Sequence, residues 1–246
     1  MAVTSLIPRL KTPGVYVEEI PKLPPSIAQV ETAIPAFIGY TEKAEDGRGR
    51  RLTNEPKRIV SLLEYERFFG GPQAETGIVV EIKEGPALQA FEVNGTIAES
   101  ERKKFLMYYA LQLFFSNGGG PCWIVSAGSY EGAGGEVVQA DLLAGLRATE
   151  RVDEITLYVF PDARGLTTAA DYYGLYTEAI SLCVKLQDRF TVTDIWPDPA
   201  GLPEEWSKNI QAMREGLPSE VDRAKYAASY FPDLETTLDF WYGGEG

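Results

Sequence analysis

The stretch that decides the fold is Ile155-Thr156-Leu157-Tyr158-Val159-Phe160, ITLYVF, an almost continuous apolar run bounded by Glu154 and Pro161. An antiparallel strand with one wet face alternates apolar and polar residues, whereas a parallel strand covered on both faces does not. Working outward, two further strands, Cys122–Ser126 and Phe190–Ile195, lie one strand–helix–strand unit before and after it. The intervening segments read as helices. One opens at Asp141 and runs to about Thr149. The other opens at Asp171 and places Leu175, Ala179, Leu182 and Leu186 on one face. The expected class is α/β, a mostly parallel sheet flanked by helices and preceded by an extended N-terminal β arm.

Toward the amino terminus, Ser100 is positioned to cap a helix from Glu101 through Ser116, with Phe105, Tyr109 and Leu113 on one face and Leu106, Tyr108, Leu111 and Phe114 widening it. Gly118-Gly119-Gly120-Pro121 ends that helix. Residues Gln73–Ile97 alternate weakly and suggest strands or a hairpin. Leu62–Phe69 reads as a short helix stopped by Gly70-Gly71-Pro72. Glu42–Asn54 is a polar loop whose Arg48, Arg50 and Arg51 make a basic spot, open either to an acidic neighbour or to solvent. Ala36–Tyr40 reads as a buried strand. Toward the carboxyl terminus, Trp206, Ile210, Met213 and Leu217 mark another helix, and Lys225–Tyr230 another strand.

The first thirty-five residues differ in character from this body. Pro13-Gly14 is a turn signal, and Val15-Tyr16-Val17 is a short β-prone segment ending in Glu18-Glu19. Pro21, Pro24 and Pro25 then exclude helix and central-strand pairing, before a second β-prone segment at Ser26–Glu31. A strand with no apolar partner nearby in sequence must pair elsewhere, with the rest of the chain or with a neighbour.

Composition narrows the function. With 23 basic and 36 acidic residues in 246, the net charge is −13, which argues against nucleic acid and against an anionic membrane surface. Met1–Leu10 does not have the form of a signal peptide, no apolar run reaches bilayer length, and cytoplasmic assembly is expected. Cys122 and Cys183 sit in apolar patterns suited to buried thiols. Histidine is absent, which removes Ser-His-Asp and Cys-His catalysis and His-based metal sites. Gly118–Gly120 follows a helix and precedes a strand, the reverse of a phosphate-binding loop. The best candidate for chemistry is the carboxyl edge of the sheet, where Ser126, Ser129, Asp162, Arg164, Asp194 and Asp198 would gather. Carboxylates there could hold Mg²⁺ or share acid/base work; the alternative, favoured here, is that they cap helices and serve turns beside Pro161 and Pro197. Trp241 and Tyr242 have only four residues after them in this sequence and are expected to be uncovered.

One resemblance spans most of the chain. TPGVYVEEI at 12–20 and SIAQVETAIPAFIGYTEKA at 26–44, with SLLEYERFFGG at 61–71, YALQLFFSNGGGPCWIVSAGSY at 109–130, EITLYVFPDA at 154–163, LCVKLQDRF at 182–190 and YAASYFPDL at 226–234, resemble in order the contractile tail sheath family of phage tails and contractile injection systems. Family members run on past the point matching Gly246, so the resemblance implies that part of an assembly domain is missing here. It implies an arm over residues 1–35 that contributes to an inter-subunit assembly domain, and an α/β sheath body over 36–246. The arm would donate Gly14, Val15, Tyr16, Val17, Glu18 and Glu19 as a strand to an adjacent subunit. The implied partners are copies of this chain or sheath paralogues, the tail tube protein and the baseplate, within a phage tail or injection particle. No enzyme activity, cofactor, metal, nucleic acid or membrane is implied. Two alternatives stand beside it: a soluble α/β enzyme with an acidic Mg-binding edge, and another tail or baseplate component that shares the sheath arm.

Overall fold

A computed structural model of the protein describes residues 33–84, 91–98, 102–196 and 206–242. The expected arm strand at Gly14–Glu19, the second segment at Ser26–Glu31, Ser100 and Asp198 lie outside the described residues.

The first described strand, β1 (Pro35–Thr41), is buried along its whole length. It is followed by a short strand β2 (Lys57–Ile59), helix α1 (Leu62–Phe69), strands β3 (Val79–Glu84) and β4 (Phe91–Thr96), helix α2 (Met107–Ser116) and strand β5 (Cys122–Ser129). Helix α3 (Gln139–Ala148), strand β6 (Leu157–Val159), helix α4 (Ala169–Leu186) and strand β7 (Phe190–Asp194) continue the alternation. Helices α5 (Trp206–Gly216) and α6 (Val221–Ala224) and strand β8 (Ala227–Tyr230) complete it.

Six strands form one sheet in the order β2-β5-β1-β6-β7-β8, and β3-β4 form a separate pair. Every neighbour pair in the large sheet is parallel except β2 with β5. The expected α/β class with a mostly parallel sheet is therefore observed. Successive residues of β1 serve opposite faces. Ala36, Ile38 and Tyr40 join Val125, Leu142, Leu146, Tyr172 and Tyr176 in a core beneath α3 and α4. Phe37 joins Ile59, Tyr65, Phe69, Met107 and Leu111 beneath α1 and α2. The result is a layer of helices on each face of the sheet.

Local chemistry accounts for most boundaries. Ser61 accepts from Glu64 N while Glu64 Oε2 accepts from Val60 N, fixing the start of α1; Gly70, at φ 84°, ends it. Thr168 Oγ1 accepts from Asp171 N and donates to Asp171 Oδ2, so α4 begins two residues before the expected Asp171. Gly118 and Gly119 bond back to Phe115 O and Phe114 O and close α2, the capping role read from sequence. β6 is shorter than the expected Ile155–Phe160, because Pro161 opens a 3₁₀ turn over Pro161–Gly165.

The largest correction concerns α2. It starts at Met107 and not at Glu101, and its buried residues are Met107 and Leu111, not a Phe105–Tyr109–Leu113 stripe. Phe105 precedes the helix and packs in the other core layer, stacked on Tyr130 at 5.0 Å. Leu106, at the cap position, makes no side-chain capping bond. The exposed amides are satisfied instead by a carboxylate from a distant part of the chain.

Candidate functional site

That carboxylate is Asp162, and it organises the carboxyl edge of the sheet. Its Oδ1 accepts from Leu106 N at 2.5 Å and Met107 N at 2.9 Å, and its Oδ2 accepts from Tyr40 N at 2.6 Å. One fully buried side chain thus caps α2 and anchors the end of the central strand β1. The site exists because β1 carries Gly39 beside it: a Cβ there would stand 2.4 Å from Asp162 Oδ2. Burial pushes the Asp162 carboxyl up to about 7, against the downward pull of the three N–H donors. A carboxyl titrating near neutrality is often a catalytic acid or base. Here both oxygens face backbone amides and the side chain has no solvent access, so neither oxygen is accessible to a substrate or a metal. Asp162 is a helix cap within the 3₁₀ turn that Pro161 opens, as the favoured reading had it, but the helix it caps is α2, 55 residues earlier.

The other edge residues are engaged as well. Ser126 Oγ shares a buried hydrogen bond with Thr41 Oγ1 at 2.7 Å. Ser129 Oγ accepts from Gly132 N at 3.1 Å, a turn contact. Arg164 forms a bidentate pair with Asp233, Nη1 to Oδ1 at 2.6 Å and Nη2 to Oδ2 at 3.0 Å. Burial raises the Asp194 carboxyl, partly offset by the Arg164 guanidinium. Among the described residues no group of three or more metal-ligating side chains comes together. The structure thus brings Arg164 and Asp194 near one another, with Asp233 as the partner that the sequence did not indicate, and it separates Asp162 from them by function.

Tyr40 extends the same logic to α3: its hydroxyl accepts from Val138 N at 3.0 Å and donates to Asp141 Oδ2 at 2.8 Å. Asp141, read as the opener of α3, holds the tyrosine that satisfies the first free amide. Both cysteines are buried free thiols, and burial pushes Cys122 up to about 12, far from reactive. At the basic loop, Arg50 pairs with Asp46 and Glu55, so part of that spot is neutralised within the loop.

Outside the edge, the surface carries grouped exposed apolar residues. In the β3–β4 pair, Val80, Ile82 and Val93 share one face by register, and all three are exposed. Trp206 and Phe231 meet at 4.7 Å on the β8 side, both exposed. A groove of about 660 Å³ lies between α2 and the chain's last described residues, lined by Tyr108, Tyr109, Gln112, Phe240, Trp241 and Tyr242. Trp241 and Tyr242 are exposed, as expected from their position. Singly such residues are ordinary; grouped, they form apolar patches of the kind found at interaction surfaces and ligand grooves.

Fold and edge together define a three-layer α/β body whose carboxyl edge is filled with structural hydrogen bonds and whose outside carries grouped apolar residues. In backbone it is similar to a chain in a cryo-EM structure of the anti-feeding prophage (AFP) baseplate in the contracted state, with 21% identity and a TM-score of 0.55. The likeness covers 94% of this chain and 49% of that one, so this chain spans about half of its length. No protein-family model matches the sequence, and no curated protein does. Among the described residues no helix is long and apolar enough to cross a membrane.

Proposed function

We infer that this chain is a structural, non-catalytic subunit of a contractile tail or injection particle, and specifically a sheath-type subunit. The observation that carries the reading is the shared fold with a chain of a contractile particle over 94% of this sequence. The sheath-like segments, above all TPGVYVEEI at 12–20, favour the sheath within that class. On this reading Gly14–Glu19 is donated as a strand to an adjacent subunit, and residues 36–246 form the body. The body meets copies of itself or paralogues, the tail tube protein and the baseplate. Contraction then needs no cofactor: bodies repack between two lattices while arm connections persist. The engaged oxygens of Asp162 and the Arg164–Asp233 pair support a structural edge over an Mg-binding one.

A second reading, a baseplate component built on the same body, is favoured by the source of the structural neighbour. Labelling this chain in native particles and locating the label by electron microscopy separates the readings. Label along the length of a hollow cylinder supports the sheath, and label confined to one end supports the baseplate. Compact particles with metal-dependent turnover would overturn both.

A further inference from the structure

After β8 the chain does not re-enter the body. Of the twelve residues Phe231–Tyr242, only Leu238 is less than exposed, and Leu234 is 82% exposed. Phe231, edge-on against Trp206 at 4.7 Å, roots the segment on α5; beyond that root it is attached at two separate places. Near its start, Asp233 is gripped by Arg164, from the 3₁₀ turn after β6. Near its end, Phe240 lies edge-on against Tyr109 at 4.6 Å, Trp241 N donates to Tyr109 Oη at 2.9 Å, and Trp241 O accepts from Glu75 N at 2.8 Å. Tyr242 continues that contact as a one-residue bridge with Glu75.

We propose that Asp233–Tyr242 is a releasable strap, docked by an ionic pin at Arg164–Asp233 and an aromatic pin at Tyr109, and able to leave the body without unfolding it. Three features support this. The segment contributes no residue to either buried core cluster, so its removal opens no cavity. Each pin is solvent-accessible: Asp233 is half exposed and Arg164 about one-third, so water can replace the ion pair. The two pins use different physics and so fail independently. Salt screens the ionic pin, whereas it leaves the edge-on ring contact and its hydrogen bonds nearly untouched. Release uncovers the Tyr108–Tyr109–Gln112 face of α2, widening an open groove into a free surface. The proposal rests on this geometry and not on the assembly reading.

The test is amide hydrogen exchange on the full chain and on Arg164→Gln, Tyr109→Phe and the double variant. Tyr109→Phe keeps the ring contact and removes the hydroxyl. The expected result is about ten-fold faster exchange at Trp241 in Tyr109→Phe, and a larger gain in the double variant at both Trp241 and Glu75. Amides in β1 and β5 should keep their protection throughout. Raising NaCl from 0.1 to 1 M should loosen residues 233–236 in the wild type but not in Arg164→Gln. Three outcomes overturn the proposal: strap amides as protected as β1, strap amides unprotected in the wild type, or loss of β1 protection in step with the strap.

Discussion

A fully buried carboxylate that accepts three backbone N–H bonds has no adequate substitute at Asp162. Asn offers one oxygen and turns an amide N–H₂ against an amide donor, so Asp162→Asn should cost about 2–4 kcal/mol, read as a lower urea midpoint. The pH dependence has a definite sign. The folded carboxyl titrates at about 7 and the unfolded one near its ordinary 3.8. Between those values the folded state holds a proton that the unfolded state has lost. This group's contribution is therefore fully present below about pH 4 and is lost as pH rises through 7. The stability gap between wild type and Asp162→Asn should narrow over that window; a gap that widens would contradict the assignment. Gly39→Ala, whose methyl would sit 2.4 Å from Asp162 Oδ2 and 3.2 Å from Met107 Sδ, should cost about 1–3 kcal/mol and combine less than additively with Asp162→Asn. Arg189 is a second buried polar centre. Its guanidinium donates to Thr149 O and Val152 O, each at 2.8 Å, and to Tyr158 Oη at 2.6 Å. Each carbonyl also accepts a backbone N–H, from Val152 and Ile155 respectively, so Arg189→Ala strands neither and should cost about 1.5–3 kcal/mol in all through the lost charge-assisted bonds, measured by thermal unfolding. Neither role was legible in full from the sequence. The sequence suggested a cap or turn role for Asp162 but not which helix it caps, and it gave no sign of the Arg189 centre, because their partners lie tens to more than a hundred residues away.

At the scale of the element, local signals served well wherever a boundary is set locally. The helix at Leu62–Phe69 was read at its observed bounds from its glycine stop, and the Gly118–Gly120 cap was read correctly because both cap and helix lie within one turn of sequence. The start of α2 was misjudged because a carboxylate 55 residues away sets it. The β3–β4 hairpin was foreseeable from weak alternation, but not that its apolar face would be left bare. A two-stranded hairpin is marginal alone, and one with Val80, Ile82 and Val93 turned to solvent calls for a covering surface. Replacing Ile82 and Val93, which face each other across the pair, with Thr keeps β propensity and removes the apolar display. The double variant should change the stability of the body by no more than about 0.5 kcal/mol, while reducing its incorporation into native particles. Unchanged incorporation would show that the face is not used.

At the scale of the molecule, the parallel sheet was readable from one apolar run and the spacing of its neighbours. The strand order was not. Sequence order puts β1 first, yet it lies inside the sheet between β5 and β6, since long-range pairing carries no local mark. The antiparallel β2 also escaped notice, three residues being too few for a periodic signal. If the arm serves assembly, deleting Met1–Ile20 should leave the six-stranded body with its melting temperature nearly unchanged and abolish incorporation into particles. Incorporation of the shortened chain would remove the arm from the proposed mechanism.

The position of β1 has a mechanical consequence. A tether attached ahead of Pro35 enters the body through an interior strand, gripped on both sides by parallel neighbours over Ala36–Thr41 and Pro35–Phe37. A pull along that strand loads the hydrogen bonds of both ladders in shear, all at once, whereas a pull on an edge strand across its ladder would peel bonds one by one. The three amides bonded to Asp162 lock the far end of the same strand to α2, so the load spreads into the helical layer. In an optical trap, chains gripped through residue 33 and the body should therefore rupture at markedly higher force than chains gripped through the Tyr230 end of β8. A body joined to its neighbours through β1 can be hauled by them without being unravelled.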